Sequence, residues 1–463
     1  MKYTDKGVEG LKIAYIGGGS RGWAWGLMSD LVAADDISGE VNLYDIDLEA
    51  AQHNEIIGNK FNNAEGAKSK WTYKACPTIG EALTGADFVV ISILPATFDE
   101  MHSDVHTPEK YGIYQAVGDT SGPGGIVRAL RCLPMIEVIA NAIKEFCPKA
   151  WVINYTNPMT VITGMLYKTF PEIKAFGCCH EVFGTQKLLA TMLEEEYGIK
   201  GAKREDIKVN VTGVNHFTWL TAANYRNIDL FPLYKEFADK YAEEGYKKGH
   251  DDNWLNSVFG CTHKVKFDLF RRYGYIAAAG DRHLAEFCEG KWYLKDPATV
   301  KSWGFDLTSV DWRKEHLVEK LQKSEDLRTG KVPVELSETG EDGVKQIRAL
   351  LGLEDLVTNV NIPNRGQIPN LPLGAIVETN AVFRDDSVMP VNAGELPTEL
   401  YGLITRIVAA QQMVIEAAAN RDLELAFKAF VNDPLVTIDH VSARALFDEM
   451  VENTKAYLTE YFK

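Results

Sequence analysis

The chain has no uninterrupted apolar run of the ~18 residues that a membrane span requires, so no transmembrane helix is expected. Its opening, MKYTDKGVEG, alternates charged and small residues and holds no apolar signal core. A basic excess is missing as well: 49 Lys and Arg stand against 65 Asp and Glu, a formal net charge of −16. A nucleic-acid binder would show a basic face, and the short cluster Lys264, Lys266, Arg271, Arg272 reads as a solvated face instead. There is no cysteine framework. The seven cysteines, at 76, 132, 147, 178, 179, 261 and 288, are odd in number and irregular in spacing. Reduced thiols and a cytoplasmic protein are expected. No internal repeat and no low-complexity tract stands out. What remains is an ordinary globular composition, 46% hydrophobic and 25% charged over 463 residues. That length predicts roughly two to three domains.

The first ~200 residues alternate short apolar runs with helix-like segments. Leu11–Ile16, Glu40–Tyr44, Phe88–Ile93 and Trp151–Asn154 read as strands, with Ala175–Gly177 and Ile207–Thr212 as weaker ones. Trp23, Leu27 and Leu31 recur at spacing four, one helix face. This alternation predicts an α/β fold with a doubly wound parallel sheet. The remainder differs. Leu230–Tyr246 and Leu400–Val431 read as helical, and Glu319–Lys345 as an exposed helix end and loop. Asn361–Phe383, with Pro363, Pro369 and Pro372 among β-branched residues, reads as extended or edge-strand structure. The apolar run Tyr401–Ala419 fits either a subunit interface or core.

Gly17-Gly18-Gly19-Ser20-Arg21-Gly22 satisfies G-x-G-x-x-G between a strand and a helix. Such a turn lets the backbone approach a pyrophosphate at a helix N-terminus. Asp45, at the end of the next strand and 23 residues past Gly22, would bind ribose hydroxyls and favour NAD over NADP. Arg21 blurs that preference, since it could pair with an extra phosphate. The same residues spell G-x-S-x-G, a nucleophile elbow, but an elbow on the first strand is unusual and leaves Asp45 without a role.

Cys178-Cys179-His180-Glu181 and Val214-Asn215-His216 each follow a strand, so Cys179, His180 and His216 would meet at the carboxyl edge of the sheet. Neither a zincin helix nor a C-x-x-C zinc ribbon is present. Asp119 lies in the Gly-rich loop Val117–Gly125, whose backbone donors could face an oxygen-rich ligand. An N-cap with turn glycines is the plainer reading of that loop. Asn154 and Asn157 end a strand where substrate or a nicotinamide amide would sit. Gly280–Glu286 packs Asp281, Arg282, His283 and Glu286 together, enough for a base and an anion-binding Arg.

Together these residues resemble glycoside hydrolase family 4, the NAD- and divalent-metal-dependent glycosidases. The resemblance rests on Ile16–Gly22 with Asp45, Gly118–Gly125 with Arg128, Asn154–Pro158, Cys178–Val182, Gly213–His216 and Gly280–Glu286, from residue 11 to about 290. The Cys-His-Glu-Val form is similar to the α-galacturonidase subgroup. The resemblance implies a lactate/malate dehydrogenase-like architecture: a Rossmann-type domain over 1–200, then an α+β domain over 201–463 for catalysis, substrate and oligomerisation. It implies a homodimer or homotetramer and a small uronide or other glycoside as substrate. It also implies a reaction outside the two-carboxylate scheme: oxidation of the sugar at C3, loss of the C2 proton, elimination of the C1 group, water addition and re-reduction.

The implied roles are specific. Gly17, Gly19, Ser20, Arg21, Gly22, Asp45 and Asn157 would bind NAD. Cys179 and His216 match the metal ligands; ligand softness alone suggests zinc, whereas the family implies Mn²⁺. His180 stands where related members assist leaving-group departure, and Asp281 and Tyr275 compete as the C2 base. Asp119 and Asn154 would hold sugar hydroxyls, and Arg128, Arg282 and His283 would meet a substrate carboxylate. An α-glucuronidase or α-galactosidase of the same family is the near alternative. A simple NAD-dependent hydroxy-acid dehydrogenase is the more distant one, and Cys179 with His216 argues against it. A non-catalytic NAD-binding or redox-sensing protein, suggested by vicinal Cys178 and Cys179, would leave the other polar loops without purpose.

Overall fold

A computed structural model describes residues 1–247, 260–307, 309–337 and 339–463. Six parallel strands run inward from one edge of a ten-stranded sheet. In spatial order they are Trp71–Ala75, Ile37–Tyr44, Gly7–Ile16, Phe88–Ile91, Trp151–Asn154 and Lys174–Gly177. Numbered along the chain this is 3-2-1-4-5-6, the doubly wound order of dinucleotide-binding folds. The apolar runs explain it. Ala14 and Ile16 enter one hydrophobic cluster with helices Gly122–Phe146, Met159–Thr169 and Thr398–Asn420, while Ile13 and Tyr15 enter another with helices Trp23–Ala33, Leu48–Phe61 and Gly343–Leu350. Both faces of the sheet are therefore covered.

The chain returns to this sheet late. Leu356–Pro363 pairs antiparallel with Lys174–Gly177, Ile376–Arg384 with Leu356–Pro363, and Ser387–Pro390 closes the edge. The edge-strand expectation for Asn361–Phe383 is corrected: both strands are flanked, and Pro369 and Pro372 fall in the loop between them, where no ladder donor is needed. A second, antiparallel sheet holds the hairpin Ile207–Val214/Phe217–Tyr225 with the short strands Ile228–Asp229 and Ile276–Ala277. Within the run Tyr401–Ala419 one stripe, Ile404, Ile407, Val408, Val414 and Ala417, is buried against the first cluster. Among the described residues no helix is long and apolar enough to cross a membrane, and all seven cysteines are buried and unpaired.

One ion pair lies inside this packing. Arg131 donates Nη1 and Nη2 to Asp104 at 2.9 and 2.5 Å, and both side chains are fully buried. It ties helix Phe98–His106 to helix Gly122–Phe146. Removing one member of a buried pair strands the other charge. Asp104→Ala should therefore cost about 3–5 kcal/mol in denaturant unfolding, and a loss below about 1 kcal/mol would show that the pair does not bear on stability.

Candidate active site

The glycine turn sits at the topological switch point, where strand order reverses between Gly7–Ile16 and Phe88–Ile91. Gly17 has φ +94°, and a Cβ there would lie 2.0 Å from Ser92 O; a Cβ on Gly19 would lie 2.6 Å from Ala50 Cβ. Only glycine fits either position. Asp45 Oδ2 accepts the Gly19 N–H at 2.9 Å, so its carboxylate closes on the turn as an acid at the end of the second strand should. Ser20 N–H donates to Gly17 O at 2.9 Å, and Arg21 stands 3.9 Å from Asp47. Helix Trp23–Ala33 begins at Gly22 with no side chain capping it, which leaves its N-terminus facing the turn. Asn54, not singled out in the sequence, holds the turn through Gly18 O at 2.7 Å and Ser20 O at 3.0 Å. Across the edge, the Oδ1 of Asn157 is buried with no hydrogen-bond partner.

A second group of side chains hangs beside it. His216 is the last residue of a two-residue hairpin loop and has φ +64°, a conformation uncommon outside glycine and typical of functional sites. Its ring lies 3.8 Å from that of His283, and its Nδ1 lies 3.0 Å from Thr120 Oγ1, which donates to Asp119 at 2.8 Å. Ligand atoms of Asp119, His216 and His283 all fall within 4.8 Å of one another. Burial first, then the neighbouring His283, push the His216 imidazole down to about 3, so it stands neutral with a lone pair to offer. Burial alone would raise Asp119 and Glu181. The His283 and His216 rings outweigh it for both, joined by Arg128 for Asp119 and by His180 and the Gly280 N–H for Glu181, and hold each carboxyl at about 2. This is a compact donor set of neutral imidazole and ionised carboxylate.

His180 opens helix Glu181–Tyr197, with Nδ1 2.5 Å from Glu341 Oε1 and its ring 6.4 Å from that of Trp23. Glu341 lies 161 positions away and gave no signal in the sequence. Two other acids were missed or undervalued for the same reason. Glu378 accepts from Asn359 at 2.6 Å and Asn215 at 3.2 Å. Glu286 Oε1 accepts the Val117 and Gly118 N–H groups at 2.7 and 2.9 Å.

Other expected site residues sit elsewhere. The Cys179 sulfur is not in the donor set of His216; burial, with Glu378 and Glu181 nearby, pushes its thiol well above the usual range. Asp281 accepts the Val265 and Lys266 N–H groups at 3.2 and 3.1 Å. It holds the N-terminus of the preceding helix Lys264–Tyr273, and it shares a separate cluster with Cys261 and His263. Tyr275 falls opposite Thr221 in the middle of strand Phe217–Tyr225, several residues along from His216, because Ile276 pairs with Leu220 and Ala277 with Trp219. There it lines an open groove of about 560 Å³ with Tyr273 and Phe231. Asn154 spends its amide within its own loop, donating to Thr156 O and accepting from Thr156 N–H, both at 3.0 Å. In the Gly118–Gly125 loop three amides are spent within the protein: Gly118 donates to Glu286, Gly122 to Asp433 and Gly124 to Gln115. Arg128 Nε reaches Asn157 O at 3.2 Å and Arg282 Nη2 reaches Ala116 O at 2.6 Å.

Residues 12–195 match the model of the family 4 glycosyl hydrolases, and residues 211–436 match the C-terminal domain of that family. The chain belongs to glycosyl hydrolase family 4. Among relatives of this family 4 chain, an α-galacturonidase of Thermoanaerobacterium saccharolyticum is 62% identical over 99% of the chain and 98% of the relative. An α-galacturonidase of Bacillus subtilis is 54% identical, over 96% of the chain and 98% of the relative. The crystal structure of lplD from Bacillus subtilis superposes with a TM-score of 0.91 at 54% identity, covering 96% of this chain and all of that one. A 6-phospho-α-glucosidase from gut microorganisms, solved with NAD and glucose-6-phosphate, shares the fold at TM-score 0.80 and 24% identity, over 97% of this chain and 99% of that one.

Burial also raises two carboxyls of this family 4 site, Glu378 to about 7 and Glu286 to about 8, from an ordinary value of 4.5. The folded chain then keeps protons that the unfolded chain has released, so folding takes up protons and stability falls as pH rises through that window. The midpoint of denaturant unfolding should drop between about pH 5 and pH 8, and the double change Glu286→Gln, Glu378→Gln should flatten the drop. A drop of unaltered size in the double variant would remove these two groups as its source.

Proposed function

We propose that the protein is an NAD- and Mn²⁺-dependent α-galacturonidase acting on small oligouronides in the cytoplasm. The observation that supports this reading is the donor set Asp119–His216–His283, with Arg128 acting on Asp119 and bonding Asn157 O, in a chain of this family that also carries a glycine turn closed by Asp45. Seven unpaired thiols support a reducing compartment. We further propose that residues 1–200 bind the nucleotide, that 201–463 complete the catalytic site, and that the enzyme assembles as a homodimer or homotetramer.

The residues present fit both groups. The close approach of Gly19 to Ala50 and the uncapped helix start at Gly22 leave backbone where a pyrophosphate would lie. Gly17, Gly19, Ser20, Arg21 and Gly22 would hold it, with Asp45 on the ribose hydroxyls. The unpartnered Asn157 Oδ1 would accept a nicotinamide amide N–H. His216, with Asp119, His283 and the Cys179 that the resemblance implies, would hold the metal. When bound, the nicotinamide supplies reversible hydride acceptance at C3, and the metal supplies Lewis acidity at the C2 and C3 oxygens.

The chain's own residues do the rest. His180 carries a proton to the departing glycosidic oxygen, with Glu341 fixing its ring. Trp23 borders His180, its ring 6.4 Å from the imidazole and 5.9 Å from that of Tyr155. Glu181 pairs with His283 at 3.6 Å and bonds the Gly280 N–H at 2.7 Å, so it orients the imidazole next to His216.

Incubation with an aryl α-D-galacturonide, NAD⁺, Mn²⁺ and a reductant should release the aryl group with no net NADH, and a sample stripped of either NAD⁺ or metal should release none. Steady accumulation of NADH would instead favour a dehydrogenase. Mn²⁺ titration followed by electron paramagnetic resonance reads the ligands independently of turnover: His216→Ala should weaken binding by roughly 100-fold or more and Cys179→Ser by about 10-fold or more. Unchanged affinity in either variant would strike that residue from the ligand set.

A further inference from the structure

The two strands that return late to the large sheet carry a polar face in the interior. Leu356–Pro363 and Ile376–Arg384 pair antiparallel, with Asn359 opposite Asn380 and Asn361 opposite Glu378. Side chains two apart share a face of a strand, and residues directly opposite share a face of the sheet, so all four lie together. Asn359, Asn361 and Glu378 are buried, Glu378 at 1% exposure. A carboxyl and amides are costly where apolar side chains would pack, unless their hydrogen bonds are made.

The bonds made here run to the backbone around both candidate metal ligands. Glu378 Oε1 accepts from Asn359 Nδ2 at 2.6 Å, and the same nitrogen donates to the Cys179 carbonyl at 3.1 Å. Glu378 Oε2 accepts from Asn215 Nδ2 at 3.2 Å. Asn215 and His216 form the hairpin loop between the paired residues Val214 and Phe217, and His216 has φ +64°. A residue with a side chain keeps that conformation only where its surroundings over-determine it. Cys179 follows a strand of the large sheet, whereas His216 belongs to the hairpin of the small one. One carboxyl therefore joins two segments that separate sheets present.

We propose that Glu378 is a positioning residue for the metal centre. Through Asn215 it fixes the strained loop of His216, and through Asn359 it fixes the backbone of Cys179, so that imidazole and sulfur can meet one ion. The proposal rests on the reading of Cys179 and His216 as ligands and adds the group that brings them together.

Mn²⁺ titration of the full chain by electron paramagnetic resonance, with NAD⁺ binding measured in the absence of metal, separates this role from a merely structural one. Glu378→Gln keeps the shape but turns a donor toward one of the two asparagine donors. It should weaken Mn²⁺ binding by about 10-fold or more and leave NAD⁺ affinity unchanged. Asn359→Ala cuts the Cys179 branch and should act in the same direction. In the double change Glu378→Gln, Asn215→Asp the hydrogen bond runs in reverse, from the new amide to the new carboxylate, at the same total charge, and most of the Mn²⁺ affinity should return. Wild-type Mn²⁺ affinity in Glu378→Gln, no recovery in the double change, or loss of NAD⁺ binding in both Glu378→Gln and Asn359→Ala overturns the proposal, while the ligand reading stands on its own variants. If His216→Ala and Cys179→Ser keep wild-type Mn²⁺ affinity, the ligand reading fails and takes this proposal with it.

Discussion

The glycine turn and the loops beside it depend on six parallel strands ending at one edge. Parallel strands bury both faces and leave their carboxyl ends as the place where loops can converge. Gly17–Gly22 leaves the first strand, Asp45 the second, Asn157 follows the fifth, and Cys179 and His180 follow the sixth. The antiparallel hairpin that presents His216 belongs to another sheet, and strand Ile376–Arg384 reaches it: Asn380 donates to Val209 O at 2.6 Å, and Glu378 accepts from Asn215, the neighbour of His216. The late strands thus couple the edge of the nucleotide-type sheet to the hairpin of the imidazole cluster.

Once that edge is assembled, burial sets the chemistry. Asp119, Glu181, Glu286, Glu378, His216 and His283 lie close enough that their charges cannot be independent. The outcome divides them. Acids facing imidazoles stay ionised, acids facing backbone amides and asparagines in apolar surroundings keep their protons, and His216 stays neutral. A cation-binding pocket needs such a division, since lone pairs must be open on one side while the rest of the charge is already balanced.

The nucleotide turn was legible because its demands are local. Glycine spacing, an acid at the end of the following strand and the strand–turn–helix order are all near-neighbour features, and Asp45 closes on Gly19 as they required. The covered strands were legible as apolar runs; Trp151–Asn154 was read with its observed bounds. The flanked strands Leu356–Pro363 and Ile376–Arg384 were read as an edge, because prolines in the connecting loop were counted with the strands. Asp281 stands beside His283 in sequence, and the family resemblance sets Tyr275 against it as the base. The N-terminus of helix Lys264–Tyr273 claims the first, and the register of a two-residue strand carries the second away.

The sequence by itself determined the fold class, the glycine turn with its acid, and the family resemblance, because each is written in short-range periodicity or in contiguous motifs. Only the tertiary structure decided which partners each ionisable group meets. Glu341 on His180, Glu286 on loop 116–121 and Asn54 under the glycine turn are pairings across tens to hundreds of residues. Such pairings follow from how helices and strands stack, and from where the chain's late segments return to its first sheet. The protonation state and donor capacity of a buried group depend on those neighbours and not on its position in the chain.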